Sequence, residues 1–362
     1  MSRQFFVATI GVDASLAAVR RGRHWLVPRV LDLPLQTSRG TGPPHDALAL
    51  GPCGRVRSRN ALRLTDSRPW PNLPPAGKGA RPVTQAEEIT RASGSNLALA
   101  FVALPRGRRR DMSTFYAFCR LVDDIVDSPG DRAAKEAALA TWRQALRVET
   151  PGESPLAGPV RALIDRYAMP VDHFLEIIAG MEMDLDAASY ATWEDLRLYC
   201  HRVASVVGLV SIGIFGAREP GAREYALQLG LAFQLTNILR DVGQDFANGG
   251  RIYLPQEDMA RFGVTRDDLA SARRSEGFLA LMDFESARAA GFYRAATDAR
   301  PAPDRRALVA AEIMRAVYSR LLEKMRLDRW RVFDRRYSLG KLTKLWLVLR
   351  GWLGALFPGN AS

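Results

Sequence analysis

The sequence predicts an all-α protein, and three observations carry that expectation. From about residue 86 onward, apolar residues recur at helical spacing with few interruptions. Pro105, Pro129, Pro151, Pro170 and Pro220 punctuate the boundaries, and alternating period-two stretches are scarce. An apolar content of 47% over 362 residues is ample for a large buried core. Helices are expected over 86–103, 107–127, 131–147, 156–167, 171–186, 193–215, 221–246, 266–272, 276–299, 304–326 and 338–356. Asp131 and Thr192 stand where side-chain N-caps belong.

The first 85 residues read differently. Runs such as Gly-Thr-Gly-Pro-Pro at 40–44 and Pro-Asn-Leu-Pro-Pro-Ala-Gly at 71–77 show no sustained period, so the segment is expected to be disordered. A start codon assigned upstream of the natural one would account for it equally well. About 13 Lys and Arg face about 4 Asp and Glu there, so roughly +9 of the net +12 lies in this segment. The aromatics in it that could interleave a nucleic-acid surface amount to Trp25 and Trp70, so a nucleic-acid partner is not expected. The apolar run from Phe5 to Val12 is too short and too poorly flanked to be a convincing export signal. Cys53, Cys119 and Cys200 form neither a Cys-x-x-Cys pair nor an even framework, which fits a reducing cytoplasm with Cys119 and Cys200 in the core.

Two acidic runs stand out within the helices. Phe-Tyr-Ala-Phe-Cys-Arg-Leu-Val-Asp-Asp-Ile-Val-Asp spans 115–127, and Gln-Leu-Thr-Asn-Ile-Leu-Arg-Asp-Val-Gly-Gln-Asp spans 234–245. Asp123 and Asp127 fall one turn apart on one face, as do Asp241 and Asp245. A like-charge pair at this spacing destabilises a helix by about 0.2–0.5 kcal/mol. A single pair would ordinarily mark a solvated face. Two pairs, each set among Val, Ile, Leu and Phe and each close behind an Arg, call for a compensating cation, and Mg²⁺ with its oxygen ligands suits them.

These motifs resemble the squalene and phytoene synthases, which join two prenyl diphosphates head to head. Gly-Arg-Ile-Tyr-Leu-Pro at 250–255, Gly-Met-Glu-Met-Asp-Leu at 180–185 and Tyr-Cys-His-Arg-Val-Ala-Ser-Val-Val-Gly at 199–208 match in order and spacing as well. The resemblance covers roughly residues 93–350 and implies a single isoprenoid-synthase domain, about 86–350, with a central apolar cavity. It further implies two or three Mg²⁺ ions with the diphosphate, held by Asp123, Asp127, Asp241 and Asp245, with Asn237 on the same face as Asp241. Arg120, Arg251 and Tyr253 are the implied diphosphate donors, an Arg role that its bidentate fork suits. Arg240, beside Asp241 but rotated from it, reads equally as a structural ion pair. Asp124, about 100° from Asp123, ranks second to it.

An allylic cation needs a dry, aromatic-tolerant pocket. Phe101, Phe115, Val203, Val207, Gly208, Leu231 and Gln234 are the candidate lining, though core packing explains each of them too. Tyr116 and Tyr199 are candidates to accept a proton or steady the cation. Ser93 and Ser95 match a diphosphate-binding run, but Leu97 replaces an aromatic there, leaving chain-length selectivity open. Arg202 looks like the bacterial presqualene diphosphate and phytoene synthase branches. By the resemblance alone, farnesyl diphosphate to presqualene diphosphate, feeding squalene or hopanoids, is favoured over geranylgeranyl diphosphate to phytoene. Reduction onward to squalene would require NADPH.

Rival readings are weaker. Head-to-tail prenyl transferases and terpene cyclases carry different second motifs. A di-iron carboxylate bundle needs Glu-x-x-His pairs, which none of His24, His45, His173 or His201 completes. A non-enzymatic family relative would have lost motif aspartates that are intact here. Finally, 344–357 is apolar but interrupted by Arg350 and shorter than a membrane span. Trp346, Trp352 and Phe357 with Lys341, Lys344 and Arg350 suit a helix lying on a membrane, at the inner face of a cytoplasmic enzyme, and equally a terminal helix packed on the domain. The sequence is silent on oligomeric state.

Overall fold

A computed structural model describes residues 86, 90, 100–186 and 189–356, and the basic segment 1–85 lies outside them. In chain order the described helices are α1 (Arg106–Asp127), α2 (Arg132–Ala145), α3 (Ala157–Tyr167), α4 (Val171–Asp186), α5 (Trp193–Cys200), α6 (Val206–Phe215), α7 (Gly221–Ala247), α8 (Gln256–Arg261), α9 (Arg266–Ala270), α10 (Glu276–Ala299), α11 (Val309–Leu327) and α12 (Lys341–Leu356). A π segment, His201–Ser205, joins α5 to α6, and a 3₁₀ turn, Pro303–Arg306, precedes α11. The fold is all-α: among the described residues the nearest thing to a strand is one isolated bridge between Ser189 and Ile252.

The local signals behave as their chemistry demands. The Asp131 carboxylate accepts from the amides of Ala133 and Ala134, and Thr192 forms a reciprocal capping box with Asp195. The expected helix 86–103 falls mostly outside the described residues. Its last described helical residue is Phe101, where Arg109 gathers the carbonyls of Phe101 (3.0 Å), Val102 (2.8 Å) and Leu104 (3.1 Å).

Three expectations need correction. The helix at 304–326 is divided, with the 3₁₀ turn led by Pro303 and the α-helix starting at Val309. The short α8 was not anticipated, because six residues after Pro255 are too few to display a period. The last helix begins at Lys341 rather than 338, since the Ser338 carbonyl is held by the Lys324 ammonium (2.7 Å) and Tyr337 is tied to Asp328.

Two elements organise the core. The continuous stretch Trp193–Phe215 is long and apolar enough to cross a membrane, yet 72% of its apolar window is buried in the fold, as a central helix requires. Beside it runs the 27-residue α7, which packs chiefly on α10. Glycines set how closely these helices approach. A Cβ at Gly230 would lie 2.4 Å from the Ser205 Cα in the π segment, and one at Gly208 would lie 2.9 Å from the Ala226 carbonyl oxygen. Both clashes are with backbone, so neither position has room for a side chain. Phe115 joins Phe118, Phe174 and Trp142 in an aromatic cluster (centroids 5.3–6.5 Å), which accounts for it as a core residue. Cys119 and Cys200 are free and fully buried.

Candidate active site

On α1, Tyr116, Arg120, Asp123 and Asp127 recur at intervals of three and four residues, which aligns them along one face. Tyr116 and Asp123 are buried. Burial, then the neighbouring Asp127 charge, holds the Asp123 carboxyl well above the usual carboxylate range, and Arg120 opposes both. The Arg120 fork serves mainly Asp124, at 2.6 and 3.2 Å, and reaches Asp123 at 3.4 Å. Asp124 is the more exposed of the two acids, so α1 carries one carboxylate neutralised by Arg120 and a second left deeply buried beside Asp127.

The second acid line lies on α7. Gln234, Asn237, Arg240 and Asp241 are all buried there. Arg240 starts about 100° around the helix from Asp241, yet its long side chain folds back to hold it with two bonds, at 2.9 and 2.6 Å. The ion-pair reading of Arg240 is thus realised. Burial, then the Asp241 charge, pushes the Asp245 carboxyl well above its ordinary range. The Asn237 Nδ2 donates to Gln234 Oε1 at 3.5 Å, while its Oδ1 is buried without a hydrogen-bond partner.

A fifth acid, Asp184 of α4, belongs to the 180–185 motif and was not nominated by sequence reasoning. Its carboxylate accepts from the Tyr199 hydroxyl (2.9 Å), the Tyr253 hydroxyl (2.8 Å) and the Arg251 guanidinium (3.2 Å), and its carbonyl accepts from Arg251 at 2.5 Å. The Tyr190, Tyr199 and Tyr253 rings cluster at 5.4–5.9 Å around it. Burial, then the Asp184 charge, pushes the Tyr199 and Tyr253 phenols far up, so both stay protonated. The Asp184 charge also raises both Asp123 and Asp245, so it acts on both acid lines.

Arg336, likewise not nominated, approaches from the segment between α11 and α12. Its Nε lies 3.9 Å from Asp241 Oδ1. Burial lowers this guanidinium, while the Asp241 and Asp245 charges favour its cationic form. No motif spacing signals it, because it is nearly a hundred residues downstream of the acids it faces.

An apolar cavity opens against the N-terminal half of α7. Phe101 and Gly208 line it, with Tyr225, Leu229, Gly230 and Phe233 from α7 and Ala310, Ala311 and Met314 from α11. Phe233 precedes Asn237, Asp241 and Asp245 by four, eight and twelve residues, a row that turns about 40° per step, so Asp241 stands about 12 Å along the axis from Phe233 and about 80° around the helix from it. Val203 packs on Gly180, while Val207, Leu231 and Gln234 are buried without lining this cavity. Ser93 and Ser95 lie outside the described residues.

Whether these residues fit a metal is decided by their donors. Asn237 Oδ1, Asp241 and Asp245 stand at successive turns of α7, and the buried Asp245 carboxyl, with its raised proton affinity, gains from a cation. Among the described residues no three His, Cys, Asp or Glu side chains converge on one point. That donor set suits a hard divalent ion that keeps waters and takes its remaining ligands from phosphate.

Residues 90–343 match the squalene/phytoene synthase family. A phytoene synthase of Mycobacterium bovis is 35% identical over 261 residues, 71% of this chain and 86% of the relative. A presqualene diphosphate synthase of Rhodopseudomonas palustris is also 35% identical over 261 residues, covering 72% of this chain and 93% of the relative. In solved structures, a dehydrosqualene synthase superimposes with a TM-score of 0.64 at 28% identity, over 74% of this chain and 93% of that one. A squalene synthase of Alicyclobacillus acidocaldarius gives 0.59 at 30% identity, over 68% and 93%. With its two acid lines, its apolar cavity and these likenesses, the chain belongs to the squalene/phytoene synthase family, prenyltransferases that condense prenyl diphosphates head to head.

Proposed function

We propose that this enzyme condenses two farnesyl diphosphates to presqualene diphosphate. The observation that carries the general chemistry is α7, whose N-terminal half lines an apolar cavity and whose C-terminal half carries Asn237, Asp241 and Asp245. The farnesyl assignment is supported by the presqualene diphosphate synthase relative, 93% of whose length the chain covers. Divalent metal, when bound with the diphosphate, supplies positive charge where the leaving group develops negative charge.

In this reading Asp123, Asp127, Asp241 and Asp245 would hold the ions, and Arg120 and Arg336 are cations beside those acids. The cavity excludes water from the allylic cation, which water would quench. Asp184 holds Tyr199, Tyr253 and Arg251 in fixed positions, and the phenols keep their protons. Tyr116, one turn before Arg120, lies on the same face and is the other phenol available there.

A second reading, geranylgeranyl diphosphate to phytoene, is favoured by the cavity wall. Ala100, Ala226, Ala310 and Ala311 are small side chains where larger ones would narrow the cavity, and phytoene synthases stand among the relatives. Product analysis with each diphosphate, with and without NADPH, separates the readings. Presqualene diphosphate from farnesyl diphosphate supports the first, with squalene appearing only if NADPH is used. Phytoene as the preferred product would replace it with the second, and no Mg²⁺-dependent diphosphate release from either substrate would refute both.

A further inference from the structure

The C-terminal helix α12 has a packed side and an exposed side. One side packs on α11: Leu347 is buried, and a Cβ at Gly351 would lie 2.6 Å from Ile313 Cγ1. On the opposite side Leu342, Leu345, Trp346, Leu349, Trp352 and Leu353 are each more than half exposed. At about 100° per residue these six occupy one arc of about 120°. Lys341 borders that arc on one side and Arg350 on the other, and Arg350 lies over the Trp346 ring at 5.3 Å. The helix contains no Asp or Glu. A contiguous apolar face of this kind is uncommon on a surface that meets water alone.

We propose that this face of α12 docks on an anionic lipid bilayer, with its leucines and tryptophans in the interface and Lys341 and Arg350 at the headgroups. Charge selects this occupant over a second copy of the chain. A two-fold interface sets the patch against itself and brings like cations together with no acid on the helix to answer them, whereas anionic headgroups complement them. Tryptophan at the water–lipid boundary fits the same placement. The position is also suggestive of use. Ile313 of α11 sits under Gly351, and Ala310, Ala311 and Met314 of that helix line the apolar cavity, so one helix separates the docking face from the cavity.

The test is flotation of the full-length protein with phosphatidylcholine vesicles, with and without phosphatidylglycerol, followed by the combined variant Leu345→Ser, Leu349→Ser, Trp352→Ser. Wild type should float with the anionic vesicles, and the triple variant should lose binding by about tenfold or more at an unchanged unfolding midpoint. Lys341→Gln with Arg350→Gln should weaken binding to anionic vesicles while leaving any binding to neutral ones. Quenching of tryptophan emission by brominated lipid should fall in Trp346→Phe, Trp352→Phe. Wild-type flotation by the triple variant would overturn the proposal and assign lipid contact elsewhere, for example to the basic N-terminal segment. Absence of wild-type flotation, or a dimer that the triple variant converts to monomer without any lipid effect, would overturn it as well, the dimer assigning the face to a second copy.

Discussion

Replacing Asp123 with Asn should make the metal-free protein more stable while destroying its metal response. Asp123 is 3% exposed, and its carboxyl is raised first by burial and then by Asp127. A carboxyl whose folded value is raised above an unfolded value of about 3.9 binds its proton more tightly in the native state. Its stabilising effect is therefore present at low pH and is lost as pH rises through the folded value. Asn carries no charge at any pH and removes that loss. Little is forfeited in exchange, because Arg120 reaches Asp123 at 3.4 Å and retains Asp124 at 2.6 and 3.2 Å. Relief of a like-charge pair is worth about 0.2–0.5 kcal/mol in solvent. Desolvation of the buried carboxylate adds to it, so the net gain near pH 8 is roughly 1–2 kcal/mol. At about 2–4 °C per kcal/mol for a domain of this class, the melting temperature should rise by several degrees. Thermal unfolding near pH 5 and pH 8, with and without Mg²⁺ and pyrophosphate, measures all of this. Wild type should lose stability between the two pH values and regain it with metal and pyrophosphate, whereas Asp123→Asn should lose less, the raised Asp245 carboxyl still contributing its part, should regain none with metal and pyrophosphate, and should show about a hundredfold or greater loss of diphosphate release. A variant less stable than wild type near pH 8 without metal would refute the reasoning.

The equivalent change on α7 should act in the opposite direction. Asp241→Asn leaves the buried Arg240 without its carboxylate and should cost about 3–5 kcal/mol in urea unfolding; a neutral outcome would mean that Arg240 is satisfied by other partners. Asp184→Asn removes the shared acceptor of Tyr199, Tyr253 and Arg251 and should cost about 2–4 kcal/mol, whereas Tyr199→Phe should cost about 1 kcal/mol. Equal stability of Asp184→Asn and wild type would show that the three donors do not depend on it. Gly230→Ala places a methyl 2.4 Å from backbone and should destabilise by about 1–3 kcal/mol or more. Gly291→Ala, which meets only the flexible tip of Arg294 at 3.8 Å, should stabilise its helix by up to about 1 kcal/mol.

Much of the fold could be read along the chain because helices are local objects. Apolar spacing, the Asp131 and Thr192 caps and the prolines located most of the boundaries to within a few residues. The acid pairs were legible for the same reason, since a spacing of four on a helix fixes a common face whatever the helix packs against. The π segment His201–Ser205 was not legible, nor was the need for glycine at 208 and 230, because both answer to a neighbouring helix and leave no period.

What tertiary structure alone decided is how those faces meet. Asp184 stood in a recognisable motif, yet nothing in its spacing announced that residues 15, 67 and 69 positions away would converge on its carboxylate. Arg336 reaches Asp241 across 95 positions, through a segment with no motif of its own. The division of α12 into a packed side and an exposed side likewise required α11 to be in place. The sequence by itself determined an all-α chain with two acid lines, because hydrogen bonding and side-chain direction within a helix depend on near neighbours. Which charges are neutralised, which remain buried and costly, and which apolar face is left open are set by contacts between distant segments, and those exist only once the helices have packed.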